Sequence, residues 1–334
     1  RTYCVEDDMC NTDMYGTCDS GEGRRGWSQF DGNVSVDCSN NGQITYTLLN
    51  DIPFSSYEAI ILDDGITFDG NNKTITHSGS GNWPGLFTFT KKDYKINVNI
   101  KNVTIDLGGK KLGYGQGSIL GNSAFNWDNG GDFANYNITI ENCHVQNGSM
   151  NNYCGGIVGQ GFCSNSDSEG SIVNCSNSCK VSGKYCGGIC ASNCGKYGKL
   201  EVRSCWNTGP LKNAGTNGGI MGYNTGSNNN TKHVFVFNCY NTGELGNNSG
   251  GICATANNTG SRIMILNCYS TCELGDLNNA SYSFGGIVAA RNSTFQPYVL
   301  YCDVYCDATY TEETEDQIVS RNGYRSISGI DHLN

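Results

Sequence analysis

The sequence predicts an all-β fold: a right-handed parallel β-helix of about 7–8 coils, with roughly 30–35 residues in each coil. Three observations support this prediction: a recurring glycine pair, a recurring cysteine, and short strand-like segments between them. The glycine pair opens a Gly-Gly-Ile motif at positions 155, 187, 218, 250 and 285, so its spacings are 32, 31, 32 and 35 residues. A period of this size is typical of repeats that stack on one another.

The cysteine column keeps a similar variable period of 32, 30, 34, 29 and 34 residues and consists of Cys143, Cys175, Cys205, Cys239, Cys268 and Cys302. Two columns of this kind indicate one repeated structural unit, with loops that absorb the differences in length. Val103 stands in the same column within the upstream segment IKNVTID. We therefore expect the column to require small apolar side chains that point into a core.

The segments between the columns, such as ITYTL, NITIEN and RIMILNC, alternate in polarity and are rich in β-branched residues. This pattern is typical of short strands bounded by turns, and no window sustains a helical period. Strand twist favours right-handed winding. An asparagine precedes the column at most repeats, and we expect these side chains to lean inward and hydrogen-bond along the stacking axis. They are Asn102, Asn142, Asn174, Asn238 and Asn267, with Ser204 as the exception.

The repeats divide the chain into three parts. Residues 43–307 are predicted to form the β-helix, and residues 308–334 a C-terminal cap or tail. Residues 1–42 lack the repeat and are predicted to form a Cys-rich N-terminal cap or arm held by disulfides of Cys4, Cys10, Cys18 and Cys38. The open ends of a stacked-repeat protein need such covers to prevent uncontrolled association.

Composition limits the classes of function. The 334 residues include 46 Gly and 19 Cys, charged residues make up 16%, and the net charge is −10. An acidic surface disfavours nucleic acids and anionic membranes, because it releases no counterions from a polyanion. No apolar run approaches the length of a membrane-spanning helix. So many cysteines favour an oxidising compartment.

Eleven N-x-S/T sequons agree with secretion and predict an extracellular or cell-surface glycoprotein. Two of them, Asn102 and Asn174, belong to the inward-leaning asparagine column, so we expect them to carry no glycan. The predicted glycosylation sites are Asn33, Asn72, Asn137, Asn147, Asn229, Asn247, Asn257, Asn279 and Asn292.

Cysteines at equivalent positions of adjacent coils satisfy the Cα–Cα distance that a disulfide needs. Cys154 and Cys186, each just before a glycine pair, are the best predicted pair. Cys272 with Cys306 and Cys163 with Cys194 are the next candidates. The number of cysteines is odd, so at least one is expected to be a buried thiol or bonded to another chain.

Few residues suggest chemistry. The acidic residues of LDDGITFDG, together with one further aspartate, could act as acid and base in a catalytic site, but they also suit turns, which we prefer; they are Asp63, Asp64, Asp69 and Asp106. The four histidines share no metal-ligand spacing, and we predict no metal or cofactor. Tyr240 and Tyr269 could stack on sugars, but they also fit ordinary outward-facing strand positions, which we prefer.

The segment NCYNTGELGNNSGGI resembles the GLUG-type repeats of extracellular surface proteins. The segment ILDDGITFDGNNKTITHSG resembles the opening coil of right-handed, pectin-lyase-like β-helices. Together the resemblances cover roughly residues 58–307, and the cysteine column departs from them. They imply the fold more strongly than a function.

Three functions follow as hypotheses. The first is a non-catalytic, structural extracellular glycoprotein, a self-assembling protomer of a surface filament or coat. Its partners would be copies of itself, joined end to end, or other cell-surface glycoproteins. The alternatives are a polysaccharide lyase or hydrolase of the pectin-lyase-like type, as that resemblance implies, and a glycan-binding adhesin.

Overall fold

A computed structural model describes residues 30–40, 43–56, 58–89, 94–122, 135–211, 215–226, 234–246, 248–254, 263–271, 285–289 and 298–305. Cys4, Cys10 and Cys18 of the predicted cap, Cys272 and Cys306, and the predicted C-terminal cap or tail lie outside these residues. So do five predicted glycosylation sites: Asn229, Asn247, Asn257, Asn279 and Asn292.

The described chain is all-β and contains no α-helix, which confirms the predicted class. It accordingly has no helix with the length and hydropathy of a membrane span. The strands are β1 (Val34–Asn40), β2 (Gln43–Leu48), β3 (Ile52–Phe54), β4 (Ile60–Ile61), β5 (Ile66–His77), β6 (Phe87–Thr88), β7 (Ile96–Asp106), β8 (Tyr136–Gln146), β9 (Glu169–Val173), β10 (Ser176–Asn177), β11 (Lys199–Arg203), β12 (Trp206–Asn207), β13 (Val234–Phe237), β14 (Tyr240–Asn241), β15 (Ile263–Leu266), β16 (Tyr269–Thr271), β17 (Tyr298–Leu300) and β18 (Asp303–Tyr305).

Sixteen of these strands form one large mixed sheet, and β4 and β6 form a separate pair. Strand β1 pairs antiparallel with β2, the first strand after the predicted N-terminal boundary. The other pairs are parallel and align equivalent residues of successive repeats, as in the series Leu200, Val234 and Ile263. The period read from the sequence is therefore the pairing register of the sheet.

Each repeat crosses the sheet as one long strand or as two short ones. In the early repeats a single long strand, β5, β7 or β8, spans both parts of the repeat. In the later repeats a residue with positive φ separates the two parts, so that β9 and β10, or β11 and β12, belong to one repeat. Stacking the repeats then produces two parallel ladders that meet at β8.

The glycine pairs form a third ladder, made of isolated parallel bridges. Gly117 pairs with Gly155, and the series continues through Gly187, Gly218, Gly250 and Gly285. The second glycine of each pair lies against the next repeat, because a Cβ at Gly188 would overlap the carbonyl oxygen of Gly219 and approach Asn207 Cβ to 2.8 Å. The motif is glycine because two backbones meet there.

All three ladders contribute side chains to a single hydrophobic core. Aromatic residues fill its N-terminal part, where the rings of Phe54 and Trp83 are 5.3 Å apart. Further along, the cysteine column takes their place, and the prediction that it points inward is confirmed because its members are at most 3% exposed. The backbone N–H of Cys239 donates to Sγ of Cys268 at 3.4 Å, so like residues of adjacent repeats touch.

Candidate functional site

The asparagine column marks the turn at which each repeat passes from one ladder to the other. Asn102, Asn142 and Asn174 have φ of 58, 51 and 53°, the left-handed region that asparagine tolerates better than other non-glycine residues. Because this turn bends outward, Asn174 is exposed, and the expectation that the column leans inward is wrong. The amide ladder itself is present: Asn142 Nδ2 donates to Asn102 Oδ1 at 3.0 Å, and Asn174 Nδ2 donates to Asn142 Oδ1 at 3.2 Å.

This turn chemistry accounts for many of the sequons. Left-handed φ values are found at Asn72, Asn102, Asn147 and Asn174. Their side-chain amides are hydrogen-bonded to other repeats; Asn147, for example, donates to Asp106 Oδ1 at 2.9 Å. Asn137 differs, because it lies exposed within β8. Asn33 is half-buried, and its amide is hydrogen-bonded to Asp31 and Asn50. Among the described sequons, Asn137 is therefore the one best presented to a modifying enzyme.

The four candidate carboxylates serve the backbone rather than converging on one point. Asp63 Oδ1 accepts from the N–H of Asp64 at 2.9 Å. Asp64 accepts from the N–H of Asn97 at 2.8 Å, and Asp106 accepts from the N–H of Gly108 at 2.7 Å. The bonds of Asp63 and Asp106 lie within turns, as the sequence interpretation preferred, whereas the bond of Asp64 joins two successive repeats.

Asp69 begins the asparagine ladder. Its Oδ1 accepts from Asn102 Nδ2 at 3.0 Å and from the N–H of Asn71 at 2.8 Å, and Lys101 Nζ lies 3.3 Å from Oδ2. Burial by itself would raise the pKa of Asp69, but the hydrogen bonds from Asn102 and Asn71, together with Lys101, lower the pKa below its ordinary value. Asp69 is therefore an ionised anchor for the amide row.

The disulfide predictions for Cys154–Cys186 and Cys163–Cys194 are wrong: all four are buried, free thiols. The reason is direction. Cys154 Sγ donates to the carbonyl of Gly113 at 2.9 Å, and Cys186 Sγ donates to that of Asn151 at 3.0 Å, so both side chains point toward the preceding repeat. Parallel side chains stay about 4.8 Å apart, whereas a disulfide needs its sulfurs at about 2.05 Å.

Buried thiols are the rule among the described cysteines. Thirteen cysteines are free and buried, whereas Cys38 on β1 is disulfide-bonded. Burial raises the pKa of the Cys186 and Cys253 thiols to about 12. No group of three or more His, Cys, Asp or Glu side chains among the described residues is arranged to hold a metal ion. Sequence reasoning missed this behaviour because it used Cα distances without side-chain direction.

The two described histidines have different surroundings. His77 is buried, with Nε2 2.9 Å from the carbonyl of Gly81, and packs edge-on against Trp83. His144 faces outward on β8, beside Asn142. His233 and His332 lie outside the described residues.

The outward side of β8, β10, β12, β14 and β16, with the turn residue before each cysteine, carries three columns of side chains. We call this surface the outer face. The amide column precedes the buried cysteines, the ring column follows them, and a polar column lies two residues further on. In chain order the rows are Asn142, His144 and Gln146; Asn174, Ser176 and Ser178; Ser204, Trp206 and Thr208; Asn238, Tyr240 and Thr242; and Asn267, Tyr269 and Thr271.

The rings of the outer face are stacked nearly parallel. Trp206 and Tyr240 have centroids 5.9 Å apart and planes 7° apart. Tyr240 and Tyr269 have centroids 5.0 Å apart and planes 5° apart. The imidazole of His144 leans toward Trp206 across Ser176, at 5.6 Å. The ring column thus holds four rings over five repeats, with Ser176 between His144 and Trp206, and the sequence pattern indicated only its two tyrosines.

Hydrogen bonds determine which ring nitrogen of His144 carries the proton. Asn142 directs its Nδ2 toward Asn102, so its Oδ1 faces His144 Nε2 at 3.2 Å and assigns the proton to that nitrogen. Nδ1 is then left to accept from Ser176 Oγ at 2.8 Å. Burial lowers the pKa of His144 below its ordinary value. His144 is therefore neutral at pH 7, and the five rows carry no formal charge.

A comparison of this chain with protein-family models, with curated proteins and with solved structures finds no match.

Proposed function

We propose that the chain is a closed, right-handed parallel β-helix that serves as a structural protein of the cell exterior and assembles end to end into a filament or coat. The observation that carries this proposal is the uninterrupted register of like residues from repeat to repeat, seen in the glycine series from Gly117 to Gly285. A repeat that is complementary to its neighbour is also complementary to an equivalent repeat of another copy.

Closure and handedness are supported by general rules. Three ladders share one core, and a wall that encloses a core leaves no lateral sheet edge. Parallel strands joined by crossovers are almost always right-handed. Both features give a rod whose length grows with the number of repeats and whose only sites for strand addition are its ends.

A structural role agrees with the way the chain uses its polar groups. The aspartates of the hydrolase alternative accept backbone N–H groups of their own turn or of the next repeat, and Asp69 anchors an amide ladder. Inside, Asn207 Nδ2 donates to Asn241 Oδ1 at 2.7 Å, and Asn207 Oδ1 accepts from Asn177 Nδ2 at 2.6 Å. These bonds join repeats rather than bind a ligand, which favours mechanical cohesion.

The extracellular location can be tested through N-glycosylation. Free thiols are compatible with an oxidising compartment here, because burial protects them and side-chain direction prevents pairing. We expect Asn137 to carry a glycan on protein from its native source. Peptide mass mapping with and without deglycosylation tests this, with hydrogen-bonded Asn174 as the internal control; an unmodified Asn137 contradicts the extracellular assignment.

Assembly is tested on the full chain by light scattering over a range of concentrations, followed by electron microscopy. The expected result is a rod that lengthens with concentration while its width stays that of one molecule. Cross-linking with peptide mapping should join the first repeats of one copy to the last repeats of another. Monomers at every concentration, or contacts along the sides of the rods, contradict end-to-end assembly.

A further inference from the structure

The outer face differs from the rest of the chain in its charge. The protein contains 21 Lys and Arg and 31 Asp and Glu. Five successive rows of the outer face nonetheless carry amides, hydroxyls and rings without a charged side chain. The uncharged rows are bounded by aspartates: Asp106 takes the register position before Gln146, and Asp303 takes the position after Tyr269.

The rings leave part of their faces uncovered. Parallel rings touch at about 3.5 Å, whereas the centroids of Tyr240 and Tyr269 are 5.0 Å apart with planes only 5° apart. Each ring must therefore be displaced sideways relative to its neighbour. The separation of Trp206 and Tyr240 is larger still at 5.9 Å, and Tyr269 is 37% exposed. The ring column thus offers a stepped aromatic surface to solvent.

Hydrogen-bonding groups line both sides of that surface. Asn174, Asn238 and Asn267 are exposed on one side, and Thr208 and Thr242 are exposed on the other. Amide oxygens retain a second lone pair after the ladder bonds are made, and hydroxyls both donate and accept. An aromatic strip between rows of neutral polar groups matches a ligand with apolar faces and hydroxyl-bearing edges.

We propose that the outer face binds a linear, neutral polysaccharide of equatorially linked hexoses, laid along the stacking axis. The pyranose rings rest on Trp206, Tyr240 and Tyr269, and their hydroxyls bond to the flanking amide and threonine columns. The strand spacing of about 4.8 Å is similar to the length of one pyranose unit, so successive sugars meet successive repeats. The absence of charge disfavours uronic acids and phosphates.

This inference goes beyond the structural role and does not depend on assembly. It requires a repeat register on one face, whereas filament formation requires contacts at the ends. The two can therefore fail separately. A polysaccharide bound along the rods would attach a filament or coat to a cell wall or matrix.

The test uses the full chain with hexasaccharides of β-1,4-linked glucose and of β-1,4-linked N-acetylglucosamine, and with hexagalacturonate as the charged comparison. Binding is followed by calorimetry and by tryptophan fluorescence. We expect at least one neutral hexasaccharide to bind and to change the fluorescence of Trp206, and hexagalacturonate to bind at least tenfold more weakly, about 1.4 kcal/mol.

Tyr240→Thr should weaken neutral binding by at least tenfold, because it removes the central ring and keeps a residue suited to a strand. Trp206→Phe should retain calorimetric binding while losing most of the fluorescence change. The matched control is Tyr185→Asn, which removes a ring from a different stack, where Tyr185 and Tyr223 lie 4.7 Å apart; it should leave binding unchanged within twofold.

Folding of each variant is verified by the protection of its buried thiols from alkylation. If Tyr240→Thr does not fold, Tyr269→Thr replaces it at the more exposed end of the column. The proposal is overturned if no neutral hexasaccharide binds at millimolar concentration, if hexagalacturonate binds as tightly, or if a folded Thr variant binds like the original chain.

Discussion

Single residues with positive φ decide where each repeat turns. Asparagine takes most of these positions because its short side chain tolerates the left-handed region and can hydrogen-bond locally. Tyr153 and Tyr185 are exceptions, with φ of 62 and 64°. Their rings are in contact, with centroids 5.0 Å apart and planes tilted by 33°, which offsets part of the strain. At this scale the backbone sets the residue type and the side chain adds a contact to the next repeat.

Substitutions at Asn174 test this account. Asn174→Val should lower the free energy of unfolding by about 1–2 kcal/mol, because a β-branched residue is strained at a φ of 53°. Asn174→Gly should cost less, since glycine adopts this φ freely and only an exposed hydrogen bond to Asn142 is lost. Urea unfolding measures both. Equal costs for the two variants would show that the hydrogen bond, not the backbone conformation, decides the residue.

At the scale of the element, the glycine ladder and the buried asparagine ladder support each other. The glycine pair allows the turn to approach the column of Asn177, Asn207 and Asn241, all fully buried. Each asparagine also bonds to its own turn, as Asn207 Nδ2 does to the carbonyl of Gly209 at 2.8 Å. The polar groups of the turn therefore find hydrogen-bond partners within the protein.

Gly188→Ala should prevent stable folding or cost more than about 4 kcal/mol, because the new Cβ meets the backbone of Gly219, which cannot move away. The matched control is Ser118→Ala, since the serine stands where the second glycine falls in later copies. Its hydroxyl is buried with no hydrogen-bond partner, so the control should be neutral or stabilising. A Gly188→Ala variant as stable as the control in chemical denaturation contradicts the close-approach explanation.

Asn207→Leu should lower the free energy of unfolding by about 3–5 kcal/mol, because it leaves the buried amides of Asn177 and Asn241 without their shared partner. Thr208→Leu, the exposed neighbour, should change it by no more than about 0.5 kcal/mol. Thermal and urea unfolding provide the comparison. Similar small effects at both positions would mean that the buried ladder does not stabilise the fold.

For the molecule as a whole, the buried thiols link stability to alkaline pH. Burial raises the pKa of Cys186 and Cys253 from 9.0 to about 12. The folded state thus keeps protons that the unfolded state releases above pH 9. The contribution of these thiols to the free energy of unfolding is present in full below pH 9 and is lost progressively between pH 9 and 12.

The substitution Cys253→Val tests this link. Valine already occupies the equivalent positions of other repeats, as Val158 and Val288. The variant should lose stability less steeply with rising pH than the original chain, by about 1 kcal/mol per pH unit above pH 10. Urea midpoints at pH 8, 10 and 11 measure the difference. Parallel pH profiles for the two proteins would show that Cys253 is not held protonated by the fold.

The sequence by itself determined the all-β class, the repeat period and the inward cysteine column, because stacked repeats force like residues into one register and so leave a periodic pattern in the chain. It also identified turn aspartates such as Asp63 and Asp64 from their glycine-rich setting. These features follow from the spacing of residues along the chain, which the sequence shows directly.

Only the tertiary structure decided where side chains point. The direction of Cys154 and Cys186 prevents a disulfide that their spacing allows, and the outward bend at Asn174 exposes a column expected to lean inward. The outer face also became visible only when stacking brought His144, Trp206 and the two tyrosines into one column. Side-chain direction depends on φ at each turn and on contact with the neighbouring repeat, and neither can be read from spacing along the chain.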